Sequence, residues 1–384
     1  MALRDEVARY LQCDPHSLFF YWKGRVAFYS LLKSFGVSEG DEVIVPAYTC
    51  VVVPNAVLYL GARAVYVDID PQTYNMDVSR LTSRIGPRTR AIVCQNTYGL
   101  SSELEAIVSL ARSKGIRTIE DCTHGFGGMY NGVPNGRTCD AAFFSTQWNK
   151  PFSTGIGGFS VVNDPSLRVG LLSLESSKAP VTLTDRMSLR ALYVARKYLV
   201  NRYTYWPLVS VYRALSGKDI VLGSSSGAET ASTSMPSDYF KEFSSVQERE
   251  GLRALRGFQR LQETRRRNAG RYTEFLEARG KNHVPRSQFA NHSFLKYPLL
   301  VRERGEFMRR AQRAQVPMGD WFLSPLHPAR DHLERWGFDE AEYPNASFIA
   351  RHVVNLPTET DDVGRVVSFL STNIADILKA DCLC

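Results

Sequence analysis

Six short apolar runs, the earlier ones separated by segments of helical period, constrain this chain more than any other feature. They read EVIVPAY (42–48), RAVYVDI (63–69), AIVCQN (91–96), RTIEDC (117–122), AAFFST (141–146) and GGFSVVN (157–163). Between the earlier ones, Val26, Ala27, Tyr29, Ser30, Leu31 and Leu32 pack one helical face. Leu104, Ile107, Val108 and Ala111 recur at three- and four-residue spacing. Strand alternating with helix predicts an α/β domain whose mostly parallel sheet is covered on both faces. The stretch 43–67 carries one charge, Arg63, and mimics a membrane span. Pro46, Pro54, Asn55 and Gly61 break it, so it reads as strand–helix–strand in a buried sheet.

The 384 residues fit one large domain and one smaller one. We expect a large domain over 1–255 with an insertion at about 166–243, and a small α+β domain over 256–384. Within the insertion, residues 186–213 hold Arg186, Arg190, Arg196, Lys197, Arg202 and Arg213, no acid, five tyrosines and Trp206. Pro207 is expected to break or kink any helix there. Residues 223–237 are small and polar and read as a loop. One long helix is expected from Val246 to Arg279. A strand at 293–301, a helix near 305–314, a Pro-rich stretch near 317–328 and a helix around 360–378 follow. The opening residues MALRDEVARYLQ read as a short amphipathic helix, not a secretion signal.

Seven scattered cysteines form no disulfide framework, which points to a reducing compartment. Cys382 and Cys384 lack a second ligand pair nearby, so no metal site is expected. The formal net charge of +8, without a recognised binding motif, predicts no nucleic-acid partner. The expected location is the cytoplasm.

Ligands in open parallel sheets bind at the carboxyl ends of the strands, and four chemical features fall there. Asp121 ends one run. A carboxylate there suits a helix N-cap or the protonated nitrogen of a pyridine ring. Lys150 lies in FFSTQWNKPFSTGIGG (143–158), between apolar and Gly-rich flanks. Desolvation in such a place frees an amine for Schiff-base chemistry; an exposed loop lysine is the plainer alternative. Ser145, with Gly24 and Arg25 at a helix start, suits a phosphate. His124 suits a hydrogen bond to a phenolic oxygen, or a structural role.

The ordered series of segments resembles the DegT/StrS family of sugar aminotransferases. It comprises GDEVIVPAYTCVVVPNAVLYLGARAVYVDIDPQTYNMD (40–77), PRTRAIV (87–93), YGL (98–100), GIRTIEDCTHGFGG (115–128), the lysine segment and PLHP (325–328). The resemblance is close over the first 165 residues and loose over the last 140. It implies the pyridoxal-phosphate transferase fold type I, with a mostly parallel sheet of the seven-stranded type, and pyridoxal 5'-phosphate as cofactor. It implies Lys150 as the Schiff-base lysine, Asp121 as partner of the ring nitrogen and His124 near the ring hydroxyl. Ser145, Gly24 and Arg25 match the phosphate cradle. It also implies a homodimer, an amino donor such as glutamate or glutamine, and a keto-sugar acceptor, expected to be nucleotide-linked.

Several positions depart from the family's pattern. Lys23-Gly24-Arg25 replaces Ser-Gly-Thr, Asn96 replaces a common histidine, and Ile156 a frequent glutamate; by their matching positions Tyr48, Cys50 and Asn96 are still expected against the cofactor. Cys50 stands where an aromatic often stacks on the ring, leaving Tyr48 or Phe126 as substitutes. The Asn-Tyr-Arg motif that crosses the dimer is not recognisable before Ser244. The alternatives are a relative acting on a non-sugar or lipid-linked substrate, or a non-catalytic one. The latter would bind a membrane or partner through residues 186–213. Family dehydratases carry histidine in place of the lysine, so Lys150 argues against that chemistry. An anionic membrane surface is the partner that interleaved basic and aromatic residues in 186–213 would suit; a helical cap with solvated arginines is the alternative.

Overall fold

Each of the six apolar runs forms a strand, because residues buried on both faces of a sheet have no polar alternation to satisfy. The computed structural model describes residues 2–199, 204, 207, 208, 211 and 234–380. Its main sheet has seven strands. Across the sheet they are Leu18–Tyr21, Gly158–Val162, Ala141–Ser145, Arg117–Asp121, Thr89–Gln95, Glu42–Pro46 and Arg63–Val67. The last five of these run parallel; Gly158–Val162 is antiparallel to both of its neighbours. Helices Gly24–Ser34, Val52–Leu58 and Leu104–Ser113 follow strands, as right-handed parallel crossovers require. Edge strand Leu18–Tyr21 precedes the first of these helices and was not among the six runs.

A second cluster of buried residues, between Ala269 and Ile377, forms around a two-stranded sheet. Tyr297–Leu300 pairs there with Val353–Leu356, under helices Phe258–Glu277, Arg304–Arg313 and Val363–Thr372. The single long helix expected from Val246 to Arg279 is in fact two, Ser245–Arg256 and Phe258–Glu277, divided at Gly257. Glycine there weakens the helix, and Ser244 with Gln247 forms a capping box that starts the first one. A short parallel bridge, Thr49–Cys50 with Leu326–His327, ties the Pro-rich stretch to the carboxyl edge of the main sheet.

Of the insertion, helix Leu183–Leu199 is described. The segment around Pro207 lies mostly outside the described residues, as do 223–233 of the expected loop and the Cys382–Cys384 pair. Leu189 is fully buried with Trp22, Ile156 and Val246. No helix among the described residues is long and apolar enough to cross a membrane, and no cluster of metal-ligating side chains occurs among them.

Candidate active site

The carboxyl edge of the sheet gathers several groups of distinct chemistry. Strand Arg117–Asp121 delivers Asp121, 2% exposed, whose Oδ1 accepts the Thr123 N–H at 2.9 Å. Burial pushes its pKa up, while the Thr123 donors and the Lys150 charge pull it down. Its donors among the described residues all come from Thr123. A carboxylate has about four lone-pair sites, so it retains capacity for a further donor arriving with a ligand.

Lys150 sits in the loop between strands Ala141–Ser145 and Gly158–Val162. That loop is braced by a Thr146–Thr154 hydroxyl contact of 2.5 Å and by Thr154 N–H to Thr146 O at 2.7 Å. Gln247 Nε2 donates to Ile156 O at 2.7 Å, and Arg265 Nη2 to Pro151 O at 2.9 Å. Lys150 is partly buried, and desolvation lowers its pKa to about 8. Cys50 and Asp121 pull against that shift, and Lys296 and Arg25 add to it. Among the described residues its Nζ makes no hydrogen bond; it lies 4.7 Å from the Trp321 ring centroid.

The phosphate candidates converge from two directions. Helix Gly24–Ser34 starts at Gly24 with no side-chain cap. Gly24 packs so tightly that a Cβ there would stand 3.0 Å from Ser145 Cβ and 3.1 Å from Phe144 O. The Ser145 hydroxyl makes no hydrogen bond among the described residues. An uncapped helix start beside such a hydroxyl, with Arg25 in electrostatic contact with Cys50 and Lys150, is a fitting cradle for a dianion.

His124 is buried, and burial holds its pKa well below the usual 6.5, with Lys150 and Lys296 pushing the same way. The neutral ring accepts the Tyr98 N–H at Nδ1 (3.2 Å), which leaves Nε2–H as a donor. It stacks on Trp321 at 5.0 Å and 12°.

Four expectations shift. Cys50 does lie among Lys150, Arg25 and Asp121, but as a protonated thiol whose pKa burial raises. Tyr48 is fully buried, with its ring against Phe322 and its hydroxyl on Tyr98 (2.6 Å), so it forms the wall behind the site. Asn96 is also fully buried; its amide donates to Glu120 (2.7 Å) and its Oδ1 accepts the Ser102 N–H, so it is a structural brace. Phe126 stacks on Tyr10 in a separate core. The aromatic beside Lys150 is instead Trp321, which sequence reasoning missed. Its one signal was its place four residues ahead of PLHP. Lys296, which shares that ring, and helix Leu183–Leu199 were also missed as neighbours. Tyr193 donates from its hydroxyl to Ser153 O (3.2 Å) and Arg196 to Trp148 O (3.3 Å), which fastens the helix to the lysine loop.

The chain can be compared with known proteins on this basis. The model of the DegT/DnrJ/EryC1/StrS aminotransferase family matches residues 3–187 and 243–371. GDP-perosamine synthases of Escherichia coli O157:H7 and Caulobacter vibrioides are 43% and 40% identical over 144 residues. Those matches cover 38% of this chain and only 40% and 39% of the two proteins' lengths. The spore coat polysaccharide biosynthesis protein SpsC of Bacillus subtilis is 26% identical over 364 residues, covering 92% of this chain and 83% of that protein. Among solved structures, the sugar aminotransferase Spr1654 of Streptococcus pneumoniae in its PMP form aligns at a TM-score of 0.74 and 19% identity. It covers 97% of this chain and 89% of that one. DesV of S. venezuelae aligns at 0.73 and 21%, covering 96% and 87%. With the family model spanning well over half of its length, this chain belongs to the DegT/DnrJ/EryC1/StrS aminotransferase family.

Proposed function

We propose that this protein is a pyridoxal-phosphate-dependent aminotransferase. It would transfer an amine from glutamate or glutamine to a keto-sugar carried on a nucleotide. The single observation that carries the reading is Lys150, a desolvated amine set beside a buried carboxylate with spare acceptor capacity. When bound, pyridoxal phosphate supplies an electron sink for the carbon that loses its proton. Lys150 would hold the cofactor through Nζ and, once the donor amine has displaced it, would take and return the proton at that atom in each half of the reaction. Asp121 accepts a hydrogen bond from a protonated ring nitrogen. His124, held neutral, donates from Nε2 to a phenolic oxygen. Gly24, Arg25 and Ser145 hold a phosphate. Relatives named for GDP-perosamine, UDP-sugar and inosose chemistry support a keto-sugar or cyclitol-like acceptor, in nucleotide-sugar or polysaccharide biosynthesis. As in the family it resembles, the working unit would be a homodimer in the cytoplasm. The test supplies ¹⁵N-labelled glutamate or glutamine and a panel of nucleotide-linked keto-sugars, and follows the label by mass spectrometry. Label in the sugar with the wild type and none with Lys150→Ala supports the reading; no label from any pair refutes it.

A second reading concerns where the enzyme works, and one observation favours it. Helix Leu183–Leu199 packs inward through Leu189 and Tyr193 but exposes Leu183 (67%), Met187 (61%), Val194 (58%) and Tyr198 (69%) on its outer face. Arg186 and Arg190 border that stripe. An apolar stripe edged by cations suits the surface of an anionic membrane. Sedimentation with vesicles of anionic lipid tests it. Binding at low salt that Met187→Glu abolishes supports peripheral contact. No binding, or a stripe covered by a second copy of the chain, rules it out.

A further inference from the structure

Lys150 is not the sole lysine beside Trp321. Lys296 immediately precedes strand Tyr297–Leu300, and its N–H donates to Tyr98 O at 3.2 Å, which fixes where its side chain departs. Its Nζ stands 5.4 Å from the centroid of the Trp321 ring, the same ring that Lys150 approaches. Two cations and the neutral His124 thus surround one indole. Among the described residues, the Lys296 ammonium has neither a hydrogen bond nor an ion pair. The carboxylates within its electrostatic reach are Glu359 and Asp320, and Glu359 is engaged by Arg265 at 2.5 Å. Arg265 and Arg196 add like charge, and burial lowers the pKa of Lys296. A desolvated ammonium without an acceptor is costly, and an anion arriving with a ligand relieves that cost.

We propose that Lys296 binds the α-carboxylate of the amino donor. This rests on the aminotransferase reading given above. The argument is one of covalent connectivity. In an α-amino acid the carboxylate is bonded to the carbon that bears the amine, so an amine that takes the place of the Lys150 amine brings its carboxylate into the space around Trp321. The diphosphate of a nucleotide-linked keto-sugar is separated from its reacting carbon by the sugar ring and lies farther out. Lys296 therefore serves the donor half of the reaction and stays uninvolved in the acceptor half.

The test is a calorimetric titration of 2-oxoglutarate, which retains both carboxylates of glutamate, into cofactor-loaded wild type and Lys296→Met. Methionine keeps the length and packing of the stem without the charge. The expected result is wild-type binding that weakens about 10–100-fold in Lys296→Met, with partial recovery in Lys296→Arg. The loss should fall on kcat/KM for the amino donor, with kcat/KM for the acceptor changed much less. Equal affinity in wild type and Lys296→Met overturns the proposal, as does a cofactor-loaded wild type that binds no 2-oxoglutarate. If Lys296→Met does not fold, Lys296→Arg and Lys296→Gln provide the comparison, with arginine expected to bind more tightly than glutamine. A wild type without a cofactor band refutes the aminotransferase reading instead, and the binding difference then judges the anion site by itself.

Discussion

The pKa of Lys150 can be measured before any substrate is known. Burial takes it from 10.5 to about 8, which is about 3 kcal/mol in favour of the neutral amine. At pH 9 about nine-tenths of such an amine is neutral, and at pH 7 about one-tenth, a tenfold fall. An ordinary lysine would fall about a hundredfold over the same interval, from a few per cent. Competitive labelling of cofactor-free protein with trace acetic anhydride, read lysine by lysine by mass spectrometry, yields that curve for each residue. The Lys150 curve should have its midpoint near 8, well separated from those of exposed lysines. Asp121 opposes the shift, so Asp121→Asn should move the midpoint lower, not higher. A wild-type midpoint near 10, or an upward move in Asp121→Asn, would refute the claim that a desolvated amine and a carboxylate act on one another here.

Three further outcomes follow from the packing. Gly158→Ala would put a Cβ 2.2 Å from Gly24 Cα and 2.5 Å from Phe144 O, both backbone atoms. Urea unfolding should show a loss of about 3 kcal/mol or more, since the strand and the phosphate-side helix must separate. Arg265→Met removes the donor to Pro151 O and the partner of Glu359. It should cost about 1–3 kcal/mol in the same assay and loosen the lysine loop, seen as faster amide exchange around residues 147–156. Because burial keeps the His124 pKa well below 6.5, its ring nitrogens should show no titration by ¹⁵N NMR from pH 8 down to pH 6.

Much of the sheet was legible in the sequence, for a physical reason. Strands covered on both faces leave short continuous apolar runs, and Glu42–Pro46, Thr89–Gln95 and Ala141–Ser145 all lie within or beside such runs. Leu18–Tyr21 was missed because its run is short and lies just after Pro15, where a turn is the stronger local signal. The division at Gly257 was missed because the apolar period continues through it. Strand-end residues such as Asp121 and Ser145 could be singled out because their strands could be. Trp321 could not, since it lies in no periodic segment, and nothing in the expected strand at 293–301 marks Lys296 as a neighbour of the sheet edge. The bridge from Leu326–His327 to Thr49–Cys50 brings the Pro-rich stretch to the sheet edge, and long-range pairing of two residues leaves no mark in local composition. Tyr48 and Asn96 were singled out by the same strand-end logic. Both lie at strand ends, yet their polar groups are taken up by Tyr98 and Glu120 inside the wall.

The most direct test of the central claim is a visible absorbance spectrum of the protein supplied with pyridoxal phosphate, recorded before and after addition of glutamate and then glutamine. The account predicts a yellow band, absent in Lys150→Ala, that bleaches with one of the two donors and returns when a keto-sugar acceptor is added. A wild type that forms no such band, or one whose band persists in Lys150→Ala, would contradict it.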